Sequence, residues 1–152
     1  MAKKISIVMT VLFCCVFVPP SALSADEVLL SLIIEQGDNQ VRLDVEFAKS
    51  PDDRATGLMH RETLPALGGM LFDFGDQKSV TMWMKNTLIS LDMIFANDQG
   101  VVHFIKRNAV PGDLDFITTP YPTRYVLEVN AGFVKTHNVQ IGNRLVYTSQ
   151  RN

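Results

Sequence analysis

An alternation of apolar and charged side chains runs through residues 40–48, which read QVRLDVEFA. A period of two places successive side chains on opposite faces of a strand, so one face is apolar and the other carries Arg42, Asp44 and Glu46. Another apolar run precedes this one at residues 28–36, and Gly37-Asp38-Asn39 separates the two. Two such runs joined by a loop that contains glycine predict a β-hairpin.

The next residues predict a short helix. Ser50-Pro51-Asp52-Asp53 is typical of a helix N-terminus, because serine caps the helix, proline suits its first position and acids favour its positive end. Ala55, Leu58 and Met59 lie at the spacing of one helix face and form its predicted buried side. Pro65 and Gly68-Gly69 limit its length.

Strands are predicted over most of the remaining chain. The predicted runs are residues 69–72, 80–85, 91–96, 101–106, 124–129, 139–141 and 144–148. Residues 91–96 and 101–106 form a second hairpin around the turn at 97–100, and the last two runs form a short pair. Residues 109–122 contain three prolines and predict a long irregular crossing. We therefore expect a mainly β fold, with a small curled or barrel-like sheet and one or two short helices.

The N-terminus has the three-part layout of a secretory signal peptide. Lys3 and Lys4 form the positive region, residues 5–18 are apolar, and small residues follow Pro19-Pro20. The apolar run is shorter than the about 20 residues that a bilayer span needs, so an uncleaved anchor is the less favoured alternative. We expect residues 1–25 to be a signal peptide and residues 26–152 to be one periplasmic or secreted domain, with no membrane attachment after cleavage.

The composition after residue 25 excludes several classes of function. Cys14 and Cys15 lie in the predicted signal, so cysteine nucleophiles and cysteine-ligated zinc are excluded from the mature chain. That chain would hold 12 basic and 16 acidic residues, so binding of nucleic acid through bulk charge is not expected. It also lacks the nucleophile motif Gly-x-Ser-x-Gly, a phosphate-binding glycine-rich loop and a dinucleotide-binding fingerprint.

A series of short motifs covers nearly the whole predicted domain. The motifs are Glu46-Phe47-Ala48, RATGLMHR at 54–61, GMLF at 69–72, WMKNT at 83–87 with Leu91-Asp92, YVLE at 125–128 and Ala131-Gly132. In this order they resemble the family catalogued as domain of unknown function 192, with departures at His60 and Ser90. The resemblance implies a small β-rich domain, often exported in bacteria. It implies no activity, because the family has no settled function.

The polar and aromatic residues of these motifs are the candidate ligand-binding residues. They are Glu46, Arg54, Arg61, Trp83, Lys85, Asn86, Asp92 and Glu128. Trp83 and Lys85 share a predicted strand face, and a cation beside a ring can hold a carboxylate or phosphate. In the competing interpretation the charges are structural, and pairs such as Glu46–Arg54 and Asp92–Lys85 are salt bridges that pin the helix on the barrel.

Metal binding is the less favoured interpretation of the remaining residues. Five methionines lie close together in sequence, namely Met59, Met70, Met82, Met84 and Met93. Thioethers are soft ligands for Cu(I), but Met82, Met84 and Met93 fall on the apolar sides of their strands, which favours core packing. The three histidines lack zinc-ligand spacing.

We therefore expect a non-catalytic binding or accessory domain without a cofactor. Its polar cleft would lie around Trp83, Lys85, Arg54 and Asp92, would take a small anionic or carbohydrate-like ligand, and would have residues 113–122 as a lid. One alternative is a hydrolase that uses a carboxylate pair, either Asp92 with Glu128 or Glu46 with Asp92. The other is a periplasmic copper-handling protein.

Overall fold

The computed structural model of the chain describes residues 29–148, and the predicted signal peptide lies outside the described residues. These residues form nine strands and two short helices. The elements are β1 (Leu30–Gln36), β2 (Asn39–Ala48), α1 (Pro51–Thr56), β3 (Gly68–Lys78), β4 (Thr81–Met82), β5 (Leu91–Ala96), β6 (Val102–Ala109), β7 (Ile117–Thr118), β8 (Thr123–Asn130), α2 (Phe133–Thr136) and β9 (Arg144–Thr148). Neither helix is long and apolar enough to cross a membrane.

Seven strands form one sheet in the order β6-β5-β8-β3-β2-β1-β9, and β4 pairs separately with β7. Neighbours in the large sheet are antiparallel except β2 and β3, which run parallel because α1 connects them. A bridge between Val101 and Arg144 brings the β5–β6 turn against the start of β9. The sheet therefore curls into a half-barrel, which confirms the predicted mainly β fold.

The sheet buries apolar side chains on both faces. The inner core collects side chains from across the sheet order, such as Leu32, Leu71 and Ile94, and α2 adds Phe133. The outer core lies under the segments that cross the other face. Its members are Ala48, Leu58, Met70, Phe72, Val80, Met82, Met84, Leu91, Met93, Phe95, Ala109 and Val126. The predicted core positions of Met82, Met84 and Met93 are confirmed.

The helix start is confirmed, but the helix is shorter than its predicted buried side requires. The Ser50 hydroxyl accepts a hydrogen bond from Asp53 N at 3.1 Å, and the Asp53 carboxylate accepts one from Ser50 N at 3.0 Å. Helix α1 ends at Thr56 and has no buried residue, so the expectation for Ala55 is wrong. Leu58 is buried beyond the helix, because the chain turns at Gly57, whose φ is 49°.

The two predicted hairpins are confirmed as β1–β2 and β5–β6. The predicted pair of residues 139–141 with 144–148 is wrong, since β9 pairs with β1 and residues 139–141 are not a strand. In residues 80–85 only β4 is a strand. The predicted alternation nevertheless holds, with three buried and three exposed side chains in turn.

Candidate functional site

Asp92 lies on the inner side of the sheet, away from the other candidates. One of its carboxylate oxygens accepts a hydrogen bond from Asn108 N at 2.9 Å, and the other accepts one from Val134 N at 3.0 Å. Asp92 is only 1% exposed. Its carboxylate therefore joins β5 to the end of β6 and to α2, and the predicted Asp92–Lys85 pair does not form.

Arg54 anchors α1 to the sheet. Its guanidinium donates to the carbonyl oxygens of Lys49 and Asp73, the second at 3.0 Å, and lies 5.3 Å from the centre of the Phe74 ring. The predicted Glu46–Arg54 pair is wrong, because α1 ends at Thr56 and Arg61 in the following turns reaches Glu46 instead. Arg61 Nη2 lies 2.5 Å from Glu46 Oε2.

The Glu46–Arg61 ion pair lies in a cavity of about 550 Å³. The Glu46 side chain is 11% exposed and that of Arg61 is 35% exposed. Helix α1 lines one side of the cavity with Asp52 and Thr56, and Phe47 and Tyr147 contribute rings whose centres are 5.6 Å apart. The cavity thus combines charged, hydroxyl and aromatic groups, as small-molecule sites commonly do.

A narrower crevice lies on the other side of the Thr56–Gly57 turn. It has a volume of about 20 Å³, which is room for about one water molecule. Its lining includes Glu128, Trp83 and Lys85 from the predicted set, together with Met59, Met82 and Thr87. The ammonium group of Lys85 lies 4.9 Å from the centre of the Trp83 ring. Trp83 and Lys85 therefore share a face, as predicted, and they lie at the exposed rim.

Glu128 is buried in this crevice without a polar partner. It is 4% exposed, and it forms no hydrogen bond or ion pair with any other residue in the 29–148 range. In the sheet it lies directly between Met70 on β3 and Met93 on β5. Burial raises the pKa of the Glu128 carboxyl to about 8, because the charged form loses its hydration.

Asn86 and the predicted lid lie beside the crevice. Asn86 has a φ of 57°, and its side-chain amide is 3.8 Å from the sulfur of Met59. Residues 113–122 are fastened along this segment, since Met84 N donates to Asp113 O at 3.1 Å and β7 pairs with β4. The Phe116 ring contacts Trp83, with centres 6.3 Å apart. Closure of this segment over a ligand stays a prediction.

A known protein family matches nearly all of the described residues. The family DUF192, described as "Uncharacterized ACR", matches residues 32–147. The chain belongs to this family. The resemblance found from the motifs is therefore confirmed, and it still assigns no activity. No curated protein matches this DUF192 chain.

Two solved structures are similar to this DUF192 domain. One is a protein of Sinorhizobium meliloti 1021 described as a "putative transcription regulator". It is 39% identical, the match covers 82% of this chain and 97% of that one, and the TM-score is 0.79. The other is a protein of unknown function from Novosphingobium aromaticivorans DSM 12444, which is 30% identical over 78% of this chain and 84% of that one, with a TM-score of 0.75.

The predicted residues of this DUF192 chain therefore separate into three places. Glu46 and Arg61 line the 550 Å³ cavity, and Trp83, Lys85 and Glu128 line the crevice with Asn86 beside it. Arg54 and Asp92 are bonded to the backbone, and Asp92 also lines a separate cavity of about 470 Å³. Arg54 also touches the crevice wall. The carboxylate pairs named for a hydrolase do not converge, because Asp92 faces the inner side of the sheet whereas Glu46 and Glu128 face the outer side.

Sequence reasoning missed Tyr147 and Thr56 in the cavity, and Met59, Met82 and Thr87 as neighbours of Glu128. The pairing of β9 with β1 brings in Tyr147, and no local pattern indicates that pairing. Within residues 29–148, no three His, Asp or Glu side chains cluster as a metal site.

Proposed function

We propose that this protein is a non-catalytic binding domain that holds a small, hydroxyl-rich, carbohydrate-like ligand in the 550 Å³ cavity. The observation that carries the proposal is the Glu46–Arg61 ion pair at 2.5 Å in that cavity, next to the rings of Phe47 and Tyr147. Small-molecule sites typically have this combination of apolar walls with a few convergent polar groups.

The charges around the cavity favour a neutral polyol over an anion. The charge of Arg61 is already compensated by Glu46, and Asp52 and Asp53 add two carboxylates to the lining. Carboxylates accept hydrogen bonds from hydroxyl groups, and the guanidinium donates to ring or hydroxyl oxygens. A phosphate or carboxylate would instead meet uncompensated negative charge.

The arrangement gives less support to hydrolysis by two carboxylates. Such enzymes hold two carboxyl groups across one scissile bond. Asp92 faces away from Glu46 and Glu128, and both of its oxygens are bonded to backbone N–H groups. The Glu46 carboxylate is bonded to Arg61. We therefore propose that the cavity binds a ligand and does not hydrolyse it.

Recognition of duplex DNA by an inserted helix finds no support in the described residues. The Sinorhizobium relative carries a regulator description. The helices of residues 29–148 are six and four residues long, and Asp52 and Asp53 occupy the first turn of the longer one. A major-groove helix needs length and a basic face.

The test is a ligand screen of the purified protein by saturation-transfer NMR. The panel contains neutral mono- and disaccharides, dicarboxylates and inorganic phosphate. We expect a neutral saccharide to bind, and we expect Asp52→Asn to weaken it about tenfold by removing one charge-assisted hydrogen bond. Asp38→Asn is the matched control, because Asp38 lies in the β1–β2 turn outside the cavity.

Three results would overturn the proposal. One is preferential binding of phosphate or a dicarboxylate. Another is saccharide binding that Asp52→Asn and Asp38→Asn affect equally, since the ligand would then lie outside the cavity. The third is that the wild-type protein binds no compound of the panel.

We further propose that the protein is exported with cleavage near residue 25. Support comes from the order of Lys3-Lys4, the apolar run, Pro19-Pro20 and the small residues up to Ala25. Mass spectrometry of the protein from its native cell should find a chain that starts near Ala25 or Asp26. A mature species that retains Met1 would contradict cleavage.

A further inference from the structure

The crevice around Glu128 has a composition of its own, independent of the carbohydrate-like ligand. Two methionines, Met59 and Met82, line it together with the buried carboxyl group of Glu128. Its volume of about 20 Å³ is too small for a sugar and suits a single ion or a water-sized group. Two thioethers and one carboxyl group are groups that can coordinate a soft metal ion in a space of this size.

The state of Glu128 points to a cation. Glu128 is 4% exposed, so ionisation of its carboxyl group costs hydration, and an ion pair or hydrogen bonds normally repay this cost. Glu128 has neither among residues 29–148. A bound cation would supply the missing partner.

The side chains around Glu128 determine which cation the crevice would bind. Thioether sulfur is a soft ligand that prefers Cu(I) and Ag(I) over Mg²⁺ or Ca²⁺. The amide of Asn86 lies 3.8 Å from the Met59 sulfur and orients that side chain. A monovalent ion is also neutralised by one carboxylate, so no further charge has to be buried.

We propose that Met59, Met82 and Glu128 form a binding site for one soft monovalent metal ion, Cu(I) or Ag(I). The two sulfur atoms and one carboxylate oxygen form the three coordinate bonds. The proton of the carboxyl group leaves to solvent as the metal–oxygen bond forms, and the metal does not change its oxidation state. Met82 belongs to the outer core like Met84 and Met93, but of these three only Met82 lines the crevice, so Met84 and Met93 take no part.

Two other charged side chains line the crevice, and both are cationic. The guanidinium of Arg54 is held by the carbonyl oxygens of Lys49 and Asp73. Lys85 is exposed, so water screens its charge, and its ammonium lies over the Trp83 ring. Lys85→Gln removes this partly screened repelling charge from the rim and should tighten metal binding only slightly.

The protein contains its own reporter for this site. Trp83 is the only tryptophan of the chain and lines the crevice. Titration of the purified full chain with Ag(I) should change the tryptophan fluorescence and saturate at one ion per chain. Competition with a chromophoric Cu(I) chelator under reducing conditions gives the affinity for Cu(I).

Substitutions separate coordination from packing. We expect Met59→Leu, Met82→Leu and Glu128→Gln each to weaken binding about tenfold or more, as loss of one ligand does. Met84→Leu is the matched control and should leave the affinity unchanged. Met59 is only partly buried, so Met59→Leu keeps the test decisive if Met82→Leu fails to fold.

Three outcomes would overturn the proposal. They are the absence of stoichiometric Ag(I) and Cu(I) binding, equal losses in Met59→Leu and Met84→Leu, and equally tight binding of Mg²⁺. Saccharide binding by Glu128→Gln should stay at the wild-type level. The failure of the metal site and the failure of the cavity ligand are thus distinguishable.

Discussion

Asp92 and Glu128 are two buried acids on neighbouring strands, and their surroundings differ completely. Asp92 is 1% exposed and Glu128 is 4% exposed. In the register of β5 and β8, Asp92 lies opposite Val129 and Glu128 lies opposite Met93, so the two acids face opposite sides of the sheet. The Asp92 oxygens accept two backbone N–H groups, and Glu128 has no polar partner among the described residues.

Burial of a carboxyl group therefore does not by itself indicate its role. Asp92 accepts the buried N–H of Val134 and the part-buried N–H of Asn108, so its burial stabilises the fold. Glu128 loses hydration and gains nothing in return, so its burial costs stability. An unrepaid cost of this kind is the pattern expected of a binding residue rather than a structural one.

The largest expected effect is the loss of stability on removing the Asp92 carboxylate. Asp92→Ala leaves the N–H groups of Asn108 and Val134 without an acceptor, at about 1–3 kcal/mol each, so we expect a total loss of about 3–5 kcal/mol. Urea unfolding with a common m-value measures it. Asp92→Asn should cost less, because the amide oxygen can still accept one hydrogen bond.

A loss below about 1 kcal/mol in Asp92→Ala would contradict the structural role. Water would then replace the carboxylate at both N–H groups. Burial of Asp92 would then not stabilise the fold, and Asp92 would not differ from Glu128 in this respect.

The next effect concerns Glu128 and depends on pH. The pKa of an unfolded glutamate is about 4.3, whereas burial raises the pKa of Glu128 in the folded chain to about 8. Between these values only the unfolded chain releases the proton, so the free energy of unfolding falls as pH rises, by up to about 1.4 kcal/mol per pH unit. Glu128→Gln removes this contribution.

The wild type should therefore lose about 3 kcal/mol relative to Glu128→Gln between pH 5 and pH 7.5. Chemical unfolding of both proteins at several pH values measures the difference. Parallel stability curves would show that Glu128 is hydrated or paired in solution. Asp38→Asn, which removes an exposed acid, should run parallel to the wild type.

The sequence predicted the strands well and the pairing of charges poorly. The alternation in residues 40–48, the turn at 97–100 and the capping box at Ser50 are local patterns, and the two hairpins and the helix start followed from them. Local patterns do not indicate where Arg61 lies once α1 ends at Thr56. They do not indicate either that β9 returns to β1, since that pairing joins residues more than a hundred positions apart.

The same limit applies to the candidate site. Period two correctly placed Trp83 and Lys85 on one exposed face. It also placed Arg42, Asp44 and Glu46 together on β2, but it could not show that α1 and the following turns cover this face at Glu46 and leave Arg42 and Asp44 exposed. Asp92 and Glu128 looked alike in the motifs, and only the tertiary structure shows which one has partners.

A third buried acid, Glu46, should fall between the other two. Its partner Arg61 is 35% exposed at the side chain, so solvent screens part of the interaction. We expect a coupling of about 1–2 kcal/mol in the double-mutant cycle of Glu46→Ala and Arg61→Ala, measured by urea unfolding. The cycle of Glu46→Ala with the exposed Arg107→Ala is the control and should give no coupling. A coupling energy near zero would show that Glu46 and Arg61 do not form a stable ion pair in solution. The proposed cavity would then lack the ion pair on which its ligand binding rests.

The smallest expected effect is that of Lys85→Ala. Lys85 is exposed and its ammonium group lies over the ring of Trp83, which is itself 41% exposed, so the loss should stay within about 0.5 kcal/mol. Arg54→Ala is the contrasting variant. It removes the hydrogen bonds to two carbonyl oxygens and the contact with the Phe74 ring, so the free energy of unfolding should fall by about 1–2 kcal/mol. Urea unfolding of both variants decides between the roles of the two cations. If Lys85→Ala cost as much as Arg54→Ala, the rim of the crevice would be part of the folded framework, and Glu128 would lie behind a structural wall rather than at an accessible site. A small loss instead leaves Lys85 free to move away from the crevice when a cation reaches Glu128.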